Sequence, residues 1–188
     1  MPSDSVSLIV TSIPFSTQYE YSPNYADFGH TDNDAHLWTQ MGHLIPNLLR
    51  VLEPGRICAI HVKDRIIPGG VSGFGFQTLS TLHMDCVYEF KRHGFAYLGM
   101  KTITTDVVRE NNQTYRLGWT EQCKDGSRMG FGVPEYLLIF RKPPTDASNG
   151  YADNPPKKDK KEWHPEAKNW RNEGGHSRAR WQLDAHGY

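Results

Sequence analysis

Val6-Ser7-Leu8-Ile9-Val10-Thr11-Ser12-Ile13-Pro14-Phe15 is the stretch that decides the fold. Its first half is short, rich in β-branched residues and bounded by serine and proline, which predicts a buried strand of an α/β sheet. The strand runs directly into Thr11-Ser12-Ile13-Pro14-Phe15. A polar, aromatic-rich loop carrying Tyr19, Tyr21, Tyr25 and Phe28 then continues to Asp34. Pro14 has no N–H and fixes its own backbone, and it pushes Ile13 into an extended conformation. Ligands of open α/β sheets sit outside the carboxyl ends of the strands. Rigid carbonyl acceptors beside the Phe15 ring at such an end suit a planar base bearing an amino group. An ordinary strand-to-loop turn can carry the same five residues, and from them alone both readings stand.

Working outward, Leu37, Met41, Leu44, Ile45, Leu48, Leu49 and Leu52 recur at spacings of three and four, predicting an amphipathic helix. Asp32 or Asp34 is placed to cap its start, and Glu53-Pro54-Gly55 to stop it. Pro46 inside the pattern predicts a kink or break. Arg56 to Val62 reads as a second buried strand ending in Lys63-Asp64, so the chain opens with a parallel strand–helix–strand unit and a right-handed crossover. Residues 65–77 read as a Gly-rich loop. Thr78 to His93 reads as a helix with Leu79, Leu82, Val87 and Phe90 inward and Gly94 closing it. Phe95 to Val108 is extended, 109–132 a long charged loop, and Tyr136 to Phe140 a final strand. The two late strands would give the sheet an antiparallel edge.

The 188 residues carry 21 Lys+Arg and 21 Asp+Glu, which excludes a polycation that coats nucleic acid but not a local basic groove. Of the 44 residues from Thr145 onward only 11 are apolar, against 37% for the whole chain. A globular body over 1–144 and a charged, Pro-containing tail over 145–188 are therefore expected. Cys58, Cys86 and Cys123 form no C-x-x-C pair, which favours buried thiols in a reducing compartment. With no long apolar run and no signal peptide, the chain is expected in the cytoplasm. Nine histidines invite a metal site, but no H-x-x-x-H or H-E-x-x-H pattern occurs.

Residues 7–64 resemble the catalytic half of the DNA amino-methyltransferases, which methylate N6 of adenine or N4 of cytosine. Ser12-Ile13-Pro14-Phe15 stands where that family has Asp/Asn/Ser-Pro-Pro-Tyr/Phe. His43 to Pro46, Leu52 to Arg56 and His61 to Asp64 resemble the helix and next strand of its phage-like members. Ile103 to Glu110 and Gly132 to Pro143 are similar to the family's two closing strands.

The resemblance implies an α/β, partial Rossmann-like fold that transfers methyl from S-adenosylmethionine to the exocyclic amine of a flipped base in double-stranded DNA, in a bacterial or phage-infected cell. It places the Ser12 hydroxyl and the Ile13 carbonyl around that amine, Pro14 as the rigid element and Phe15 on the base. Thr11 and Ser12 become the candidates beside the cofactor and Lys63 a candidate DNA contact; in the first loop Tyr19, Tyr21 and Tyr25 are the candidate DNA contacts, with a packing role standing equally beside that reading. Ile13 occupies the place of the family's first proline. The family's Phe-x-Gly-x-Gly cofactor loop does not occur; Gly73-Phe74-Gly75 is the nearest sequence and does not follow a buried strand. The expectation is a first portion of a longer enzyme, or one half of a split one, with the cofactor half supplied in cis or in trans. The competing reading is a non-catalytic DNA-binding remnant.

Overall fold

A computed structural model describes residues 1–18, 20, 22–104, 134–155 and 157. The main elements are strand β1 (Val6–Ser12), helix α1 (Asp34–Val51), strand β2 (Leu52–Lys63), a short β3 (Ile66–Ile67), a single helical turn α2 (Gly69–Ser72), a short β4 (Thr78–Leu79), helix α3 (Leu82–Arg92), β5 (Ala96–Ile103) and β6 (Glu135–Arg141). Four strands form one sheet in the order β1-β2-β6-β5, with β1 and β2 parallel and β6 antiparallel to both of its neighbours. The expected strand–helix–strand opening and antiparallel late strands are present. β6 lies inside the sheet and β5 is the edge.

Both long helices contribute to one apolar core. Leu37, Met41 and Ile45 of α1 and Leu82, Cys86 and Phe90 of α3 are fully buried in a cluster with Cys58, Ile60, Val62, Leu138 and Phe140 of the sheet. Each such side chain contributes about 1.5–3 kcal/mol of transfer free energy. Strand alternation puts Ile57, Ala59, His61 and Lys63 on the opposite face of β2. The pairing aligns Ser12 with His61, and Lys63 with Glu135, on that same face.

Several local expectations are corrected. β1 is not a buried strand: it is half-covered, with Leu8 58% and Val10 64% exposed, because it has β2 alone beside it among the described residues. Pro46 does not break α1. Its ring is exposed, so the Gly42 carbonyl deprived of a donor is reachable by water. Asn47 Nδ2 also donates to the His43 carbonyl at 2.9 Å, and burial of the opposite stripe outweighs the lost bond. The cap is Asn33, not Asp32 or Asp34: its side chain accepts the His36 N–H at 2.9 Å. β2 begins at Leu52 and includes Glu53-Pro54-Gly55, which read as a stop. Residues 65–77 are not all loop, since β3 pairs antiparallel with β4 across α2. Thr78 and Leu79 belong to β4, so α3 starts at Leu82 and Leu79 is 37% exposed. Gly94 closes α3 at φ +100 as expected. β5 ends at Ile103; the rest of the extended segment lies outside the described residues.

The chain divides into two compact units, Met1–Asp153 and Asn154–Tyr188. The first takes in residues 145–153 as well as the expected body. Asp153 accepts from the Thr145 N–H and hydroxyl at 2.9 and 2.8 Å, and Arg141 lies over the Tyr151 ring at 4.9 Å. Gly55, at φ +83, lies so close to Ala152 that a β-carbon there would come within 2.3 Å of the Ala152 backbone. Among the described residues no helix is long and apolar enough to cross a membrane.

Candidate active site

The carboxyl end of β1 turns sharply. Ile13 is buried in the core, and its N–H donates to the His61 carbonyl at 3.3 Å, one step beyond the strand ladder. A proline there would forfeit that bond. Burial and the hydrogen bond fix the Ile13 backbone without a proline at that position. Ser12 on the other face is exposed, with its Oγ 3.3 Å from both the Ile13 carbonyl and His61 Nδ1. Phe15 is half-buried and meets the His61 ring edge-on at 5.6 Å. Ser16 follows at φ +54, fully buried, with a hydroxyl that finds no hydrogen-bond partner among the described residues. A non-glycine residue in the left-handed region and an unpaired buried hydroxyl are both unfavourable. They persist where surrounding structure imposes them, a pattern that concentrates at functional sites.

Behind Ser12 stands a charged group drawn from β2 and β6. His61 Nε2 lies 2.7 Å from one oxygen of Glu135, and Lys63 Nζ donates to the other at 3.0 Å. Burial pushes the Glu135 carboxyl up, but the hydrogen bonds from Lys63 and His61 and the Lys63 ammonium outweigh it and hold the group below its usual range. Glu135 is therefore ionised at neutral pH and can only accept hydrogen bonds.

A second set of contacts fixes the loop after Phe15. Arg65 is ion-paired with Asp34 at the start of α1 and donates to the Thr17 hydroxyl at 2.9 Å. Asp64 accepts the His83 N–H at 3.0 Å and its ring nitrogen at 2.7 Å, capping α3, and the His83 ring stacks on Tyr136 at 4.4 Å. The carboxyl ends of β1 and β2, the start of β6 and the starts of both helices are thus tied to one corner.

No family model and no curated protein match this chain. Solved structures do. TTHA0409 of Thermus thermophilus, described as a DNA modification methylase and solved with S-adenosyl-L-methionine, superposes with a TM-score of 0.53 at 21% identity, over 89% of this chain and 54% of its own. Another structure of that protein gives 0.51 at 20% identity over the same shares. The fold shared with TTHA0409 is mixed α/β and Rossmann-like. The cytosine-N4-specific PvuII DNA methyltransferase gives 0.49 at 15% identity, over 82% of this chain and 50% of its own. This chain spans about half the length of the solved structures it matches.

Ser12 Oγ and the Ile13 carbonyl are acceptors at a strand's carboxyl end, and Phe15 is an aromatic face beside them. The described residues do not include a glycine loop behind a strand of the main sheet. Gly73 and Gly75, at φ +76 and +74, belong to the β3–β4 hairpin, where Phe74 and Phe76 stack at 5.7 Å and are both exposed. Thr11 is exposed and donates to the Ser12 carbonyl at 3.3 Å.

Tyr25 is 61% exposed, packs on His30 and donates its hydroxyl to Asp32, which raises its phenol above the ordinary value. Tyr19 and Tyr21 lie outside the described residues, as does Cys123. Lys63 is 5% exposed and is directed at Glu135. Cys58 and Cys86 are free, buried thiols; burial pushes Cys58 up to about 12 and Cys86 further in the same direction. His61 and Glu135 were not singled out as site residues by sequence. The available signal was strand register, which places His61 beside Ser12.

Proposed function

We propose that this chain is the target-base half of an S-adenosylmethionine-dependent DNA methyltransferase acting on N6 of adenine or N4 of cytosine in a flipped base. The observation that carries the reading is the Ser12–Phe15 turn at the carboxyl end of β1 in a methyltransferase sheet, with acceptors and an aromatic ring together. An exocyclic amine has its lone pair delocalised into the base. Acceptors around its hydrogens, here Ser12 Oγ and the Ile13 carbonyl, favour a tetrahedral nitrogen whose lone pair is free to attack. They are fixed before the substrate arrives, the condition under which such groups act most strongly. Phe15 holds the base plane and so the angle of approach.

S-adenosylmethionine, when bound, supplies an electrophilic methyl group on a sulfonium. Thr11 and Ser12 are the residues of this half nearest to it, and its adenosyl pocket comes from a cofactor half in the same chain or a second one. Tyr25, Tyr19 and Tyr21 are the proposed groove contacts. Lys63 serves Glu135 instead of a phosphate.

The test is transfer of labelled methyl to duplex DNA by the protein with its cofactor half present. Phe15→Ala should slow transfer by about 10- to 100-fold, the worth of one stacked base, with duplex affinity within about threefold by a binding titration. An equal loss of binding would remove the stacking assignment. Duplex binding by the unaltered protein with no transfer would favour the remnant reading, whose support is Ile13 at the tetrad's first proline.

A further inference from the structure

We propose that His61 is a positioning residue that accepts, through the Ser12 hydroxyl, the proton leaving the methylated amine, with Glu135 fixing which of its nitrogens is free. The inference deepens the function proposed above and rests on it. Methyl transfer to an amine leaves one hydrogen too many on nitrogen, and a serine hydroxyl cannot keep a second proton near neutral pH. Here the hydroxyl has a base behind it. Glu135 accepts at His61 Nε2, 2.7 Å away, so Nε2 carries the hydrogen and Nδ1 keeps its lone pair. Nδ1 points at Ser12 Oγ, 3.3 Å away.

The hydroxyl hydrogen has two acceptors at equal distance, the Ile13 carbonyl and Nδ1. Once the amine donates to Oγ, the hydrogen turns to Nδ1. The nitrogen lone pair then forms the new N–C bond, and the pair of the broken C–S bond stays with sulfur. The amine proton passes to Oγ as the hydroxyl's own proton passes to Nδ1. The imidazolium so formed lies between a serine and a carboxylate, and His61, at 28% side-chain exposure, returns the proton to water.

Lys63 does not compete for the ring, because its ammonium is on the other Glu135 oxygen. Phe15 covers the ring's edge, and Lys101 of β5 lies on the same face two strands away. The same three side chains could instead be a structural strut. A strut predicts the same tautomer, set by Glu135, but no loss of methyl transfer when His61 is replaced.

Nitrogen-15 spectra of the histidine rings, recorded on this chain and assigned with His61→Asn, test the tautomer that the relay requires, and the transfer rate separates relay from strut. The expected result is the Nε2–H tautomer, with Ser12→Ala moving the Nδ1 resonance alone and Glu135→Gln moving both. A proton on Nδ1, or an Nδ1 resonance indifferent to Ser12→Ala, overturns the relay. In the protein that transfers methyl, His61→Ala should lower the single-turnover rate by about 100-fold or more, leave duplex affinity within about twofold, and recover part of the rate on addition of imidazole. An unchanged rate also overturns it. Where the spectra give the expected tautomer but the unaltered protein transfers nothing, the methyltransferase reading fails and the proton relay fails with it, leaving a hydrogen-bonded strut.

Discussion

The paired strands β2 and β6 are built differently at their two ends. Toward one end, Cys58 faces Phe140, and Phe140 is surrounded by Phe90, Phe95 and Tyr97 at ring separations of 4.6, 6.2 and 5.6 Å. That face of the pair stays apolar through Ile60, Val62 and Leu138, while Arg141 follows Phe140 on the opposite face, paired with Ile57. At the other end Lys63 faces Glu135, His61 reaches across, and the adjoining turn contains a left-handed Ser16 with an unpaired hydroxyl. The same ladder carries both. Apolar packing supplies stability, and the other end holds charged groups in an arrangement that folding alone would not favour.

The largest expected effect is at the apolar end. Phe140→Ala should lower unfolding free energy by about 3–5 kcal/mol, read by chemical denaturation, while the folded fraction keeps the His61 tautomer. A loss below about 1 kcal/mol would break the contrast. At the polar end, Glu135→Gln should cost about 1.5–3 kcal/mol at neutral pH, as expected for hydrogen bonds to a charged group. Because the folded carboxyl lies below its ordinary value, its contribution is full above the unfolded pKa of about 4.3 and is lost as pH falls through the folded one. Denaturation curves of the two proteins should therefore converge on acidification; a gap that persists at low pH would mean that packing, not charge, sets it. The smallest effect has the opposite sign. Ser16→Gly relieves the left-handed strain and removes a hydroxyl unpaired among the described residues, and should raise stability by about 1 kcal/mol. A destabilised Ser16→Gly protein would show that the turn is not strained.

The elements legible in sequence were those whose hydrophobic period is local. The stripe from Leu37 to Leu52 gave α1, and the apolar runs around Ile60 and Leu138 gave β2 and β6. Pro46 misled because its effect depends on which side of the helix it occupies, a fact of packing. The β3–β4 hairpin was hidden because each strand is two residues long, too short to show alternation. The turn at Ser12–Phe15 could be read because proline and phenylalanine act on their own neighbours. Glu135 could not. It is 74 residues from His61, and only the placement of β6 between β2 and β5 brings them together. Lys63 read as a DNA contact for the same reason: its carboxylate partner is supplied by tertiary pairing.

The half-covered β1 also governs how solutions of the chain behave. Among the described residues it has one neighbouring strand, and it shows Leu8 and Val10 to water along a row of backbone donors and acceptors. A second molecule can add to such a margin by ordinary strand pairing, and growth of that kind is set by encounter frequency more than by unfolding. Shelf life of the isolated chain should accordingly respond to dilution before it responds to temperature, and Val10→Lys, which puts a charge on the outward face, is the brake to apply.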